Sequence, residues 1–574
     1  MAGVPWSSHA MYLLDPGAGP TGGWPHMLDR WIVDVEPSPR YPIYTRANSG
    51  EVYPDPVSPL AGSLVFQKGS ELGWRDTYLR YTMRPDEFDT SRAEIIGCFG
   101  GYVYLNMSMT RLFGVRMPGM TPEMVDFQYF GEMPGIPPYV HEDWHDDSER
   151  SGALGLWVGE LLAADDLPAL RADRDGVDQL VAARPDLSAL GDADLVDLMR
   201  ALVVPYRPLF DRHITISAAS GFGVSIVGQV CAAVGQPSAT MTLFAGLGDV
   251  DSAAPSFMLW ELSRLPASSS EFASGLARFQ QLYGSRGPNE WELRSPTWGT
   301  DVSLVTAAID AMRDVPGGDS PAARHAARAA EADALAASIA ALLSGDDLAQ
   351  FQAGLRSGRL HLAGRERTKT TIIKLVHEIR LVARELGARL VSRGHLASIE
   401  QLFMVKESEL DELLAYPEAF SALVEEREAA YLELFDLEPP FIIDGVVPPL
   451  PEWPRREALS LPEAAPGTVL TGIPGCPGVA QGRARVVMHP GDPTKLEPGD
   501  VLVAPITDPA WTPLFVPAGA VIVDVGAQVS HAVIVSRELG LPCVVSVTGA
   551  TKRIPDGALV EVDGTTGTVT ILPG

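Results

Sequence analysis

The stretch DVGAQVSHAVIVSRELGLPCVV, residues 524–545, places one histidine, His531, between a glycine-bearing turn and a short helical pattern. Ser530 precedes that pattern as a candidate N-cap, and Gly540 follows it as a candidate C-terminal stop. His531 is therefore predicted in the first turn of a helix, where unpaired backbone N–H groups and the helix dipole favour an anion. Positive charge is disfavoured there, so the imidazole is expected to be neutral and nucleophilic. Gly526 is expected to give the preceding turn freedom in φ.

The sequence around this stretch predicts a compact α/β domain. Short β-branched runs alternate with Gly and Pro turns, namely ARVVM, DVLVAP, GAVIVDV, PCVVSV, ALVEVDG and TVTIL. HAVIVSREL is a helical segment among them, and many short strands with one or two helices favour an α/β fold. A Pro-dense run at 441–470 comes before this domain and is predicted to be an extended, semi-rigid linker.

The sequence of the first 440 residues predicts a different secondary structure, which is mostly helical after about residue 150. LSALGDADLVDLMRALVVPYRPLF has helical spacing, and SPAARHAARAAEADALAASIAALLSG starts with Ser-Pro and stops at Gly, as helices do. A further apolar stripe with steps of three and four runs from about Arg365 to Leu390. The predicted fold class is thus multidomain α+β, with a largely helical N-terminal domain (1–440), a linker and a C-terminal α/β domain (471–574).

Composition narrows the class of protein. The chain has 574 residues, 46% of them hydrophobic, and a net charge of −29. That charge argues against nucleic-acid or anionic-membrane partners acting through general electrostatics. The four cysteines are far apart and form no CxxC pair, so neither a zinc site nor a disulfide framework is predicted. Without a signal-peptide pattern or a continuous run of about 18 apolar residues, a cytoplasmic protein with no membrane span is expected.

The stretch ITDPAWTPLFVPAGAVIVDVGAQVSHAVIVSRELGLPCVV resembles the swivelling phosphohistidine domain of phosphoenolpyruvate-utilising enzymes, and the resemblance covers residues 471–574. It implies that His531 carries a covalent phosphoryl group between two distant sites. It also implies that Thr507 and Arg537 lie near the phosphohistidine and contact the phosphate. The sequence departs from the family at VGA (525–527), where a Gly-Gly pair is usual.

Residues from about 40 to 440 resemble, more weakly, the substrate domain of rifampicin phosphotransferase and the large subunit of phenylphosphate synthase. The supporting stretches are YTRANSGEVYPDPVSPL, YGSRGPNEWELRSPTW, GRERTKTTIIKLVHEIR and IEQLFMVKESELDELL. Their order and spacing make the set more specific than its members. The resemblance implies that this region binds the acceptor of the phosphoryl group.

Arg365 and Lys369 extend the apolar stripe of their helix, and two inward cations need an anion because burying unpaired charge is costly. The alternative is that this helix end is exposed and both side chains reach water. The family resemblance favours a phosphate clamp made by these two residues. Glu51 in SGEVYP is a candidate general base for an acceptor hydroxyl, with a solvated loop carboxylate as the alternative.

The RGPNEWELRSPTW segment holds two carboxylates, Glu290 and Glu292, between Arg286 and Arg294. It is either part of the site or a turn held by surface ion pairs. The residues expected to bind phosphate or substrate are Thr507, Arg537, Ser530, Gly526, Arg286, Glu290 and Glu292. The aromatic residues that would line a ring-binding pocket, or else belong to the core, are Trp74, Tyr102, Tyr104, Phe127, Tyr129 and Phe130.

The segment YVHEDWHDDSER, residues 139–150, invites a metal interpretation because His141 and His145 are four apart. Its interior differs from the HExxH arrangement, so a solvated acidic loop before a helix is the favoured interpretation and no metal site is predicted.

No phosphate loop of the form GxxxxGK[ST] and no resemblance to an ATP-grasp domain is found, and the sequence ends at Gly574. The phosphoryl donor is therefore expected to be ATP with Mg²⁺ on a separate ATP-grasp subunit, giving AMP and phosphate. The resemblance to phenylphosphate synthase implies a small aromatic, phenol-type hydroxyl as acceptor. The alternatives are an antibiotic or natural-product hydroxyl, and a non-catalytic regulatory protein that keeps a degenerate carrier domain.

Overall fold

The computed structural model of the protein describes residues 28–130, 135–247, 251, 253–458, 461–490, 496–526 and 530–573. Its N-terminal part is largely helical around a small sheet, and its C-terminal part is an eight-stranded sheet with short helices. This arrangement confirms the predicted fold class. The exact domain limits remain predictions.

The helices of the N-terminal part surround one large apolar core. A π-helical segment, Ala61–Ser70, runs directly into the second helix. The α-helices are α1 (Ser49–Val52), α2 (Glu71–Tyr81), α3 (Met107–Arg116), α4 (Pro122–Phe130), α5 (Ser148–Ala163), α6 (Pro168–Ala182), α7 (Asp192–Ala233), α8 (Ala239–Leu243), α9 (Ala254–Ser263), α10 (Ser270–Tyr283), α11 (Val302–Ala311), α12 (Pro321–Ala340), α13 (Gly345–Ser392), α14 (Leu410–Ala415) and α15 (Ser421–Leu434).

Four short antiparallel strands complete the N-terminal part, in the spatial order β2-β3-β1-β4. They are β1 (Ile43–Thr45), β2 (Ile96–Phe99), β3 (Tyr102–Asn106) and β4 (Ile442–Asp444).

Strand β4 lies inside the segment 441–470 that the sequence predicts to be an extended linker. Its Ile443 is buried in the N-terminal core together with Leu450 and Trp453. At the other end of the segment, the Ala464 N–H donates to Arg553 O at 2.7 Å in the C-terminal part. The segment is therefore divided between the two parts of the chain. Its many prolines predicted an extended linker, whereas its buried apolar residues pack into the N-terminal core.

The C-terminal sheet has the spatial order β5-β12-β11-β7-β8-β9-β10-β6. The pairs β7–β8, β8–β9 and β9–β10 are parallel, and the outer pairs are antiparallel. Its elements are β5 (Val469–Thr471), β6 (Ile473–Cys476), β7 (Val479–Val486), β8 (Val501–Ala504), α16 (Thr512–Phe515), β9 (Ala520–Val523), α17 (His531–Leu539), β10 (Cys543–Val545), α18 (Ala550–Arg553), β11 (Leu559–Asp563) and β12 (Thr568–Ile571). All six strand patterns and the helix HAVIVSREL occur where the sequence predicts them.

The C-terminal part packs on the N-terminal helices through a shared apolar core. Trp298 and Met312 of the N-terminal part lie in the same buried cluster as Trp511, Phe515 and Val533 of the C-terminal part. The contact brings α16 and α17 against α9, α11 and α12. Residue 531 is thereby presented to the N-terminal part.

The helix α7 is long and apolar enough to cross a membrane, judged by length and composition alone. The sequence criterion of a continuous apolar run did not find it, because Gly, Ser and Thr interrupt the run while keeping the average hydropathy high. A core helix of a soluble protein passes the same test, and α7 packs along α13.

The two longest helices, α7 and α13, touch through glycines. A Cβ on Gly223 would clash with the backbone N of Gly358 and would lie 2.5 Å from the carbonyl O of Gly354. We expect Gly223→Ala to lower the free energy of unfolding by about 1–3 kcal/mol, because the helix backbones must move apart. Chemical or thermal unfolding followed by circular dichroism measures the change.

The matched control is Gly221→Ala on the same helix, where an added Cβ meets no atom within 4 Å. There we expect a gain of about 0.5–1 kcal/mol from helix propensity. Equal effects of the two substitutions would show that the close crossing does not limit stability.

Candidate active site

His531 is the first residue of α17 and lies half-buried between two threonine hydroxyls. Its Nδ1 is 3.1 Å from Thr507 Oγ1, and its Nε2 is 3.2 Å from Thr512 Oγ1. Burial, followed by the charges of Lys369 and Arg286, holds the pKa of His531 well below its usual value. The imidazole is therefore neutral near pH 7 and keeps a lone pair for nucleophilic attack. Thr512 was not among the predicted site residues, although it lies in the same TDPAWT segment as Thr507.

Gly526 and Ser530, on either side of the undescribed residues 527–529, both lie in closely packed surroundings. Ser530 occupies the N-cap position with extended backbone angles, as predicted, and its buried Oγ has no hydrogen-bond partner among the described residues. Gly526 is not in the left-handed region of φ, so the expected freedom in φ is not what requires glycine there. A Cβ at this position would lie 3.1 Å from Val545 Cβ and 3.2 Å from Ser530 Oγ. Ala527, the departure from the family pattern, lies outside the described residues.

Two cations that share one carboxylate influence His531 from the N-terminal part. Arg286 Nε lies 2.9 Å from Glu290 Oε2, and Lys369 Nζ lies 3.6 Å from Glu290 Oε1. Arg286 Nη1 donates to Thr370 Oγ1 at 2.7 Å, while its buried Nη2 has no hydrogen-bond partner among the described residues. Two cations against one carboxylate leave one positive charge, which suits an oxyanion such as a phosphoryl group.

The segment between α10 and α11 that carries Glu290 is buried and not a surface turn. Arg380 of α13 donates through Nη2 to the carbonyls of Glu290 (2.7 Å) and Glu292 (2.8 Å). The Glu292 carboxylate turns away and accepts from Ser58 Oγ at 2.5 Å and Ser58 N at 3.1 Å. Burial raises the pKa of Glu292. Of the two predicted carboxylates, Glu290 therefore pairs with the cations and Glu292 fixes the PDPVSPL segment behind it.

Asp508, which the sequence analysis missed, joins the two parts of the chain. Its Oδ2 accepts from the Asn289 N–H at 2.7 Å, and its Oδ1 accepts from the Ala510 N–H at 2.9 Å. Burial raises its pKa to about 7. Asn289 has a φ of 47°, in the left-handed region, and its side-chain amide donates to Asp55 Oδ2 at 3.3 Å. The signal in the sequence that could have identified Asp508 was its position directly after Thr507, a predicted site residue.

The far end of α17 makes a second contact between the parts. His325 Nδ1 of α12 lies 3.0 Å from Glu538 Oε2, and the Leu247 N–H donates to Glu538 Oε1 at 3.2 Å. Arg537, predicted to contact the phosphate, is buried and donates through Nη2 to Met241 Sδ at 3.4 Å. Burial lowers the pKa of Arg537 to about 10. In this arrangement the guanidinium contributes to the interface with the helices.

Arg365 and Glu51, the other predicted clamp and base residues, lie around Tyr129. Burial raises the pKa of Tyr129 to about 12, while the charge of Arg365 lowers it and that of Glu51 raises it. Arg365 stands one turn before Lys369 on α13, and both residues also lower the pKa of His213 on α7. Their catalytic roles remain predictions.

Most of the aromatic residues proposed for a pocket belong to the core. The Tyr102 hydroxyl donates to Leu434 O and the Tyr104 hydroxyl donates to Pro440 O, each at 2.8 Å. Trp74 packs on Phe210 with 6.2 Å between ring centroids, whereas Phe127 is 62% exposed. The sequence did not single out Trp291, the ring between Glu290 and Glu292, because nothing in a sequence shows which aromatic residues face a candidate site.

The histidines of residues 139–150 make local contacts. His145 Nδ1 lies 2.6 Å from the Tyr139 hydroxyl, and His141 Nε2 lies 3.3 Å from Asp146 Oδ2. Asp143–His145 is a single 3-10 turn, so the two imidazoles are not on one face of an α-helix. Within the described part of the chain, no three His, Cys, Asp or Glu side chains come together as a metal-ligand set.

Two family models match parts of the chain. Residues 496–567 match the mobile domain of PEP-utilising enzymes, and residues 213–366 match the fourth domain of rifampicin phosphotransferase. The first match contains His531, and the second contains Arg286 and Glu290. These matches confirm the resemblance to phosphoenolpyruvate-utilising enzymes and rifampicin phosphotransferases.

Curated relatives extend the similarity. An uncharacterised protein of Mycobacterium tuberculosis is 26% identical over 582 residues, covering 94% of this chain and 62% of the relative. A rifampicin phosphotransferase of Streptomyces sviceus is 31% identical, covering 54% of this chain and 36% of the relative. A rifampicin phosphotransferase of Bacillus cereus is 36% identical over 32% of this chain and 20% of the relative. The chain thus spans about three fifths or less of the length of these relatives.

The contact between His325 and Glu538 makes docking of the C-terminal part dependent on pH. Glu538 raises the pKa of His325 above its ordinary 6.5, so this pair stabilises docking fully below about pH 6.5 and loses its effect as pH rises through the raised value. We expect His325→Gln to weaken docking at pH 6.5 by about 1 kcal/mol, roughly fivefold, and to flatten the decline of docking as pH rises above about 6.5. Energy transfer between dyes on the exposed residues Leu342 and Val479 measures docking.

Two other groups titrate near this window. The pKa of His531 is lowered in the docked state, so its contribution to docking grows as pH rises toward the ordinary value of about 6.5 and levels off above it. Asp508, whose docked pKa is about 7, opposes docking when ionised and leaves a residual slope in the same direction. Glu538→Gln should reproduce the His325→Gln profile. An unchanged pH profile in both variants would contradict the assignment.

Proposed function

We propose that the chain is a phosphotransferase that carries a phosphoryl group on His531 and delivers it to a hydroxyl of a small acceptor beside α13. The observation that carries this proposal is the meeting of a neutral His531 with the charges of Arg286 and Lys369. His531 and Arg286 lie in regions that match the mobile domain of PEP-utilising enzymes and the fourth domain of rifampicin phosphotransferase, and Lys369 lies three residues beyond the second match. A carrier histidine without an acceptor site would not need such a partner surface.

The delivery step breaks the P–N bond of phosphorylated His531 and forms a P–O bond to the acceptor. The electron pair of the P–N bond returns to the imidazole, and the acceptor hydroxyl gives up its proton. Charge in the transition state spreads over the equatorial oxygens, so catalysis depends on positioning and cationic stabilisation. Arg286 Nη2 and Lys369 Nζ would meet those oxygens, while Thr507 and Thr512 hold the ring. Arg365, which the sequence paired with Lys369 as a phosphate clamp, remains a candidate for a further cation that contacts the phosphoryl group.

The loading step requires a donor outside the described residues. We propose ATP with Mg²⁺ on an ATP-grasp unit, as the similarity to this enzyme family supports, with AMP and phosphate as products. Among the described residues no three candidate metal ligands come together, and Mg²⁺ that accompanies a nucleotide is usually held by one or two carboxylates and the phosphates themselves. The separate ATP-grasp subunit expected from the sequence, like the cytoplasmic location, remains a proposal.

The acceptor is proposed from the names of the relatives. Rifampicin phosphotransferases among them favour a hydroxyl of an antibiotic or another natural product. The phenol-type acceptor that the sequence predicts is chemically close, because it also offers an aromatic ring with a hydroxyl. A non-catalytic regulator with a degenerate carrier domain is the competing hypothesis, motivated by the altered turn at 525–527. Phosphorylation of His531 would distinguish the enzyme from such a regulator.

The labelling experiment tests the carrier role. The chain, a candidate nucleotide-binding unit, Mg²⁺ and ATP labelled in its β-phosphoryl group are expected to give acid-labile label on the protein. His531→Ala should abolish the label completely, because it removes the attacking nitrogen. His395→Ala, on the turn after α13, is the matched control and should label like wild type. A wild type that stays unlabelled with every candidate unit would sink the carrier proposal.

Lys369→Ala tests the clamp separately from the carrier. We expect His531 to be loaded as before, while transfer to rifampicin or phenol falls at least about 100-fold, because one cation of the transition state is lost. Lys374→Ala, five residues further along α13 and paired with Asp178, should transfer at the wild-type rate. Liquid chromatography of the labelled product measures transfer. If Lys369→Ala blocks labelling instead, Lys369 acts in the loading step.

A further inference from the structure

The proposed function leaves open which side chain takes the proton of the acceptor hydroxyl. His213 of α7 is half-buried, and its Nδ1 lies 2.9 Å from Thr368 Oγ1 of α13. The Thr368 hydroxyl donates its single proton to Arg365 O at 2.9 Å. Thr368 Oγ1 can therefore only accept from His213, so Nδ1 of His213 carries a proton and donates. The neutral ring then holds its lone pair on Nε2.

His213 lies beside the charged pair of the site. Its ring centroid is 6.2 Å from that of Trp291, which follows Glu290 in the chain. Its hydrogen-bond partner Thr368 directly precedes Lys369, and Lys369 Nζ lies 3.6 Å from Glu290 Oε1. His213 thus contacts Trp291, which follows Glu290 in the chain, and Thr368, which precedes Lys369. The charge of Lys369 reaches both His213 and His531.

Two polar atoms at this place could bind a ligand. One is Nε2 of His213, the acceptor of a half-buried ring whose other nitrogen is bonded to Thr368. The other is the buried Nε1 of Trp291, a donor with no hydrogen-bond partner among the described residues. Buried polar groups in native proteins are almost always paired, so the unpaired Trp291 donor beside the His213 acceptor indicates a polar ligand group. A hydroxyl offers both a donor proton and acceptor lone pairs, and so it matches both atoms.

We propose that Nε2 of His213 is the general base that takes the proton of the acceptor hydroxyl, a role that the sequence had suggested for Glu51. The inference rests on the proposed function. As the hydroxyl oxygen attacks phosphorus, the O–H electrons form the P–O bond and the proton moves to Nε2. The electron pair of the P–N bond returns to His531, which leaves as neutral imidazole when its other nitrogen is protonated. His213 later releases its proton to water.

The surroundings of His213 keep it in the basic form. Burial, followed by the charges of Arg365 and Lys369, lowers its pKa to about 3. The ring is therefore neutral, with no proton on Nε2, at any pH at which the protein would work. A phosphoryl group facing the same cations offsets their positive charge and makes Nε2 a stronger base when transfer occurs.

The test compares two side chains that each copy half of the imidazole. In His213→Asn the amide replaces Nδ1 and Nε2 is lost, whereas in His213→Gln the amide replaces Nε2. Transfer from loaded His531 to phenol or rifampicin should fall roughly 10²- to 10⁴-fold in His213→Asn, the usual range for loss of a general base. Rates are normalised to the amount of loaded protein, and His395→Asn serves as a control.

The acidity of the acceptor separates a base from a structural residue. 4-Nitrophenol is largely ionised at pH 8 and has no proton to remove, so His213→Asn should transfer to it within a few-fold of wild type. Equal losses with phenol and 4-nitrophenol would overturn the role as base. Transfer to phenol at the wild-type rate would also overturn it, while the proposed function would stand.

The tautomer of His213 gives a readout independent of turnover. Nitrogen NMR of the ¹⁵N-histidine-labelled chain should show an unprotonated Nε2 on His213 between pH 5 and 8, and Thr368→Val should disturb this signal. A protonated Nε2 would overturn the proposal whichever acceptor is used. A wild type that never becomes loaded, or whose loaded form transfers to none of the three probes, removes the proposed function and this inference together.

Discussion

The buried carboxylate of Glu290 sets the electrostatics on which the site depends. It is 1% exposed and lies between Arg286, which is 2% exposed, and Lys369. Two cations could not be held at this depth without an anion, because removing unpaired charge from water costs several kcal/mol. One carboxylate does not balance both of them, and the nearby Asp508 is only partly ionised near neutral pH because burial raises its pKa to about 7. The surplus positive charge at the edge of the pair is what a phosphoryl group on His531 would meet.

The same surplus charge adds to the effect of burial in keeping two nearby imidazoles neutral. Burial is the main cause for His531 and His213, and Lys369 adds to the effect in both. The proposal requires a neutral ring for a different reason at each position. The lone pair of His531 attacks the phosphoryl group, and the lone pair of His213 accepts a proton. A single charged cluster thus prepares the nucleophile of one step and the base of the next.

Sequence patterns were sufficient for the carrier domain and partly sufficient for the acceptor side. His531 and the helix around it could be predicted because the N-cap, the glycine stop and the strand runs are local signals within a short stretch. Glu290 could be named, but its burial could not, since the same motif is typical of a surface ion-pair turn. Asp508 and His213 escaped because their partners, Asn289 and Thr368, are distant in sequence. Only the fold shows that these pairs meet.

The docked arrangement also bears on the direction of the transfer cycle. Helix α17 carries His531 at its first residue and Glu538 near its last turn, so one element places an imidazole under the influence of the cations and a carboxylate against His325. The apolar core shared with α9, α11 and α12 holds the carrier at the acceptor side even without a phosphoryl group. In the proposed cycle, loading would add negative charge that Arg286 and Lys369 attract, and delivery would remove it. The loaded carrier would therefore dock more tightly than the spent one, which would favour arrival before transfer and departure after it.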